Sequence, residues 1–91
     1  MKKKRIEIVE GGFYIQKKRP ENVRYVRRLD QGIAHWLGFD AKSGEYYNVN
    51  FPCSVDTFAR LSERRLTDEE ASKMKLEEGL RAFMDLSLIH I

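Results

Sequence analysis

The sequence predicts an α+β domain: an antiparallel, strongly curved five-stranded sheet, or a small partly open barrel, followed by a C-terminal α-helix. Three observations carry that expectation. Short apolar-polar alternations separated by turn residues fill the first fifty or so positions. Gly11-Gly12 is a two-residue hairpin signal, because both glycines accept positive φ. Thr67-Asp68-Glu69-Glu70 places a capping hydroxyl three residues before a glutamate, which opens a helix.

The first strand is expected over Arg5–Glu10, and its return strand over Phe13–Gln16. Lys17-Lys18-Arg19-Pro20-Glu21-Asn22 forms a polar turn, with Pro20 kept out of the sheet because it has no N–H to donate. Val23–Leu29 reads as the third strand, Ile33–Phe39 as the fourth and Glu45–Phe51 as the fifth. The loop Ala41-Lys42-Ser43-Gly44-Glu45 fits a three-residue hairpin with Gly44 in the left-handed position.

That loop predicts a register. If Ala41 pairs with Glu45, Phe39 faces Tyr47, Leu37 faces Val49 and His35 faces Phe51. Ile33, His35, Leu37, Phe39, Tyr47, Val49 and Phe51 then form a core face. The opposite face carries Ala34, Trp36, Gly38, Tyr46, Asn48 and Asn50.

Positions 1–91 are expected to form one domain, with strands over 1–51 and a connecting segment over 52–66. Within that segment Val55, Phe58 and Leu61 have helical spacing behind a Ser54 cap, and a sixth strand is the alternative. The C-terminal helix is expected over 67–85, with an apolar stripe of Ala71, Met74, Leu80 and Phe83, and Leu76 and Met84 at its margins. Gly79 costs that helix about 1 kcal/mol relative to alanine unless close packing requires it. The tail 86–91 leaves the stripe. It is either an apolar segment that packs on the sheet or on another subunit, or a non-native end. The second reading rests on its likeness to a translated sequencing-adapter junction and implies an environmental or viral source.

The 91 residues are 42% hydrophobic and 11% aromatic, which suits a folded chain. No apolar run reaches membrane-spanning length, and Glu7 and Glu10 interrupt any secretory signal. The lone Cys53 fits a reducing, cytoplasmic-type compartment. Positions 1–66 carry fourteen Lys and Arg against eight Asp and Glu, a net +6. Positions 67–91 carry three against six, a net −3. A basic strand half and an acidic helix half point to an anionic partner for the strands, or simply to a solvated surface.

Catalytic chemistry finds little support. Cys53 and His35 share no nucleophile-base motif, and Cys53 alone reads more simply as a small buried residue. His35 and His90 have no partner at metal-ligand spacing, and Gly11-Gly12 lacks the lysine and hydroxyl of a phosphate loop. The expectation is therefore no enzyme, no cofactor and no metal. The stronger constellation is aromatic plus basic. Trp36 and Tyr46 can stack on bases, Arg24, Arg27 and Arg28 fit phosphate, and Asn48 and Asn50 read base or ribose. Lys17, Lys18 and Arg19 sit on a loop that could add phosphate contacts. Burial of Trp36 and Tyr46 as core is the competing reading.

Short strands, tight turns and one terminal helix resemble small SH3-like or other partly open barrels common in binding proteins, a likeness of architecture without a defining motif. The leading expectation is a non-enzymatic binding protein for a phosphate-bearing ligand. The particular form favoured is a small phage-type counter-defence protein that sequesters a signalling nucleotide in the host cytosol as a homo-oligomer. A DNA- or RNA-binding barrel is the alternative. A protein-interaction module, or an inhibitor of a host protein, is the third.

Overall fold

The structure, a computed structural model, describes residues 6–48 and 52–89, and their side chains except at 48 and 85–89. Its strands are β1 (Phe13–Gln16), β2 (Asn22–Asp30), β3 (Ile33–Asp40), β4 (Glu45–Asn48), β5 (Cys53–Ser54) and β6 (Ser62–Arg65). Its helices are α1 (Val55–Leu61), α2 (Asp68–Lys73) and α3 (Leu76–Ile89). The antiparallel sheet has the order β4-β3-β2-β1-β6, with β5 also pairing β3, and it does not close. No described helix is long and apolar enough to cross a membrane.

Two expectations about strands are corrected. Residues 6–9 are not a strand. Their backbone is engaged instead by Tyr14, whose hydroxyl donates to the Glu7 carbonyl and accepts from the Val9 N–H at 2.9 Å. Residues 62–65, expected only as connecting chain, form β6 on the outer side of β1. Ser-Glu-Arg-Arg has no alternation to betray a strand, and charged residues are typical of a sheet edge.

The third correction has the largest consequence. Asp40 pairs with Glu45, so Phe39 lies opposite Tyr46, Gly38 opposite Tyr47 and Leu37 opposite Asn48. The loop is one residue longer than expected, held by the Gly44 N–H on the Asp40 carbonyl and the Lys42 N–H on the Asp40 carboxylate. Side chains alternate along a strand, so this one-residue slip exchanges the two faces of β4. Tyr46 joins Phe39, and Tyr47 lies across Gly38 on the side of Trp36.

Both faces of the sheet are covered. On one, Phe13, Val23, Leu37, Phe39 and Tyr46 pack against Leu66, Leu76 and Leu80. The helix after Thr67 therefore covers the Phe39 face, not the Trp36 face. On the other, Tyr14, Val26, Ala34 and the half-buried Trp36 pack under Phe58 and Ala59 of α1 and under Ile8 of the N-terminal segment.

The local chemistry of the helices explains this. Ser54 caps α1 by accepting from the Thr57 N–H, and Phe58, Ala59 and, at the helix end, Ser62 are buried while Leu61 is exposed. Thr67 and Glu70 form the expected capping box at α2. The single expected helix is divided at Lys75, which takes φ +54°. That break shifts the phase, so Leu76 is fully buried and Met74 is exposed. α3 then runs through to Ile89.

Candidate functional site

A cross-strand row on the α1 face holds the most unusual side chain. Tyr47, Gly38, Arg24, Tyr14 and Arg65 follow one another across β4, β3, β2, β1 and β6. Arg24, at the centre, is only 2% exposed. Its guanidinium carbon lies 4.2 Å from the Phe58 ring centroid and 5.3 Å from that of Trp36. One terminal nitrogen donates to Ser62 Oγ at 2.8 Å. Ser62 in turn donates to the Phe58 carbonyl at 2.7 Å, which fixes the hydroxyl beneath α1.

No carboxylate among the described residues pairs with Arg24. Buried charges normally have such a partner, since desolvation otherwise costs several kcal/mol. Burial accordingly lowers the Arg24 pKa, while Cys53 and Tyr47 act in the opposite direction. Guanidinium is basic enough to stay charged regardless. Two buried donors have no oxygen or nitrogen acceptor among the described residues: Arg24 Nε, and Trp36 Nε1, which has only the Cys53 thiol before it. The Cys53 thiol is the neighbour of both, and burial raises its pKa while the guanidinium and the indole N–H oppose the rise.

Gly38 gives the row its shape. A Cβ there would lie 2.0 Å from the Tyr47 ring, so only glycine lets the phenol settle against the sheet. Tyr47 as a residue nevertheless remains 42% exposed. An open aromatic surface thus stands beside a buried cation.

The residues expected to form a site are divided by this geometry. Arg24 and Trp36 come together, though beneath α1, and Trp36 meets Phe58 edge-on with centroids 6.0 Å apart. Tyr46 leaves for the opposite core, where it is tilted against Phe39 at 4.9 Å and donates to the Leu76 carbonyl. Burial there pushes its pKa well up. Arg27 and Arg28 are exposed at a bulge that puts Arg28 opposite His35, and Arg28 lies 3.8 Å from Asp30. Lys17, Lys18 and Arg19 are exposed in the β1–β2 turn, at the other end of β2 from that bulge. Asn48 pairs with Leu37 through its backbone, and Asn50 lies outside the described residues. His35 and Cys53 fall on opposite faces, so they do not form a dyad.

Phe58, Ser62 and Tyr47 were missed in the sequence. A signal existed for Ser62: it follows Phe58 by four residues, which places both on one helix face.

The open grooves lie on the other face. A cavity of about 520 Å³ runs between β1, β2 and α3 over Phe13, Tyr25, Leu80 and Met84, and one of about 280 Å³ lies between Phe13 of β1, the end of β6, α2 and the start of α3. Their rims mix Arg65, Lys75 and Arg81 with Asp68, Glu77 and Glu78, which selects no ligand charge. Compared with protein families, curated proteins and solved structures, the chain matches none of them.

Proposed function

We propose that this chain is a non-enzymatic binding protein for a phosphate-bearing ligand, held at Arg24 and Trp36 with Tyr47 as the stacking ring. One observation carries the reading: a buried arginine with no carboxylate among the described residues and an unused Nε. An oxyanion would supply both the charge and the acceptor that this environment lacks. Tyr47 replaces Tyr46 in the stacking role first expected, because of the register of β4. The same chemistry would serve a protein that sequesters a signalling nucleotide.

Arg24 lies beneath α1, so admission requires that seven-residue helix to lift. Association should then be slow, below about 10⁵ M⁻¹s⁻¹. The test is calorimetric titration of the wild type and Arg24→Met with mononucleotides and cyclic mononucleotides. Methionine fills the space without a charge. Replacement of a poorly compensated buried charge by an apolar side chain is often neutral or stabilising. The expected result is loss of binding with an unchanged or higher melting temperature. Wild-type protein that binds no phosphorylated ligand, or Arg24→Met that binds as well as wild type, overturns the reading.

Binding of a nucleic-acid strand is the second reading, favoured by the exposed Lys17, Lys18 and Arg19. Its affinity should fall steeply with salt through counterion release and respond to a triple alanine change at that turn. Binding at Arg24 should do neither.

A further inference from the structure

We infer that the Arg24 site selects a monovalent oxyanion, the phosphodiester, over phosphomonoesters and triphosphates. This rests on the phosphate-binding reading just given and adds the charge and connectivity of the ligand. Among the described residues, Arg24 is the one buried cation in the cluster formed with Trp36, Phe58, Ser62, Cys53 and Tyr47, and Arg65 beyond Tyr14 is exposed. One buried positive charge neutralises one negative charge. A phosphomonoester at neutral pH carries nearly two, and its excess would remain uncompensated in a site that already disfavours charge.

The donors match as well. Among the described residues, Arg24 Nε and Trp36 Nε1 are the buried donors without an oxygen or nitrogen acceptor, the indole N–H having only the weakly accepting Cys53 thiol, and a phosphodiester has two non-bridging oxygens. The Ser62 hydroxyl is already committed to the Phe58 carbonyl, and its oxygen accepts from Arg24. A carboxylate has the same charge and the same pair of oxygens. The open Tyr47 ring favours the nucleotide, because a base attached to the diester has a surface to stack on.

The experiment titrates the full chain with 3′,5′-cyclic AMP and GMP, the matching 5′-monophosphates, the triphosphates, and benzoate as an aromatic carboxylate. At pH 7.5 the cyclic diester should bind at least about tenfold more tightly than its monophosphate. At pH 5 the monophosphate becomes largely monoanionic, since its second pKa is near 6, and that gap should close to less than about threefold. Facing the cluster are Cys53 from β5, Tyr47 from β4 and Arg65 from β6, while α1 carries Asp56 and Arg60 on exposed positions. The imidazole of His35 is on the opposite face. Trp36→Phe keeps a ring and removes one donor, and it should weaken the diester about tenfold without changing the fold.

Monophosphate or triphosphate binding equal to that of the diester at pH 7.5 overturns this inference and leaves phosphate binding standing. Benzoate binding as tightly as the cyclic nucleotide overturns the phosphodiester assignment in favour of a carboxylate. Absence of binding by every anion overturns the function proposed above. A diester preference that persists in Trp36→Phe at full strength removes the indole from the site and overturns the two-donor match.

Discussion

The two faces of the sheet are built from the same strands but bury different kinds of group. Toward α3 the interior is apolar, and its buried hydroxyl, on Tyr46, is satisfied by the Leu76 carbonyl. Toward α1 the interior holds Arg24 and Ser62 as well as the Tyr14 hydroxyl, and both unpartnered buried donors among the described residues lie there. Only the first arrangement is what stability alone favours. The α1 face thus carries groups that cost stability, and the α3 face does not.

Each face has a fully buried residue at the centre of its core. Phe58 is fully buried against Tyr14, Trp36 and Arg24, and Phe58→Ala should cost about 3–5 kcal/mol. Leu76 is its counterpart under the other face, and Leu76→Ala should cost about 2–5 kcal/mol. Trp36 is the single tryptophan, so its fluorescence reports the α1 face. In urea, fluorescence and far-ultraviolet dichroism should show coincident transitions in both variants, because β2 and β3 contribute to each core. Separate transitions would mean that the faces unfold independently.

A smaller effect comes from Gly38. Alanine there collides with the Tyr47 ring, 2.0 Å from the added methyl. The exposed phenol can swing out, so Gly38→Ala should cost only about 1–3 kcal/mol while displacing the ring proposed to stack on the ligand. Ligand affinity should therefore fall further than stability suggests, and calorimetry beside thermal melting measures both. Gly79 plays the matching part on the other face: a Cβ would stand 3.2 Å from Tyr46. Close packing there accounts for a glycine inside α3.

Much of this was legible in the residues. Local signals with one physical outcome came through: the Ser54 and Thr67 caps, the Pro20 turn, the alternation of β3. The register of β4 failed on a single residue of spacing. The Asp40 carboxylate takes the Lys42 N–H and lengthens the β3–β4 loop by one position, which alone exchanges Tyr46 for Tyr47 beside Arg24. Lys75 in a left-handed conformation is equally invisible in a run of helix-forming residues, yet it moves Leu76 from margin to centre. Burial of Arg24 could not be read at all, because strand alternation gives a face without saying what covers it.

Tyr46→Phe tests the satisfied hydroxyl directly. It removes the donor to the Leu76 carbonyl and should cost about 1 kcal/mol. Trp36 fluorescence in the native state should not change, since the altered group faces the other way.

The smallest expected effect concerns Glu70, which joins α2 to β6 at the surface. Its carboxylate accepts from Arg64 at 2.7 and 2.6 Å and from the Thr67 N–H at 3.0 Å. Those bonds lower its pKa from 4.5 to about 2. A carboxylate depressed on folding stabilises the protein above its unfolded pKa and loses that contribution as pH falls toward the folded value. The contribution is thus complete at neutral pH and fades between about pH 4.5 and 2. Glu70→Gln should melt slightly lower than wild type at pH 7, and the two should converge on acidification. The pair is exposed, so the difference should be small and shrink in molar salt. A difference that persists at pH 2 would assign the loss to the capping box geometry rather than to charge. A change in Trp36 fluorescence would connect this surface clamp to the buried arginine, which the separation of the two faces does not allow.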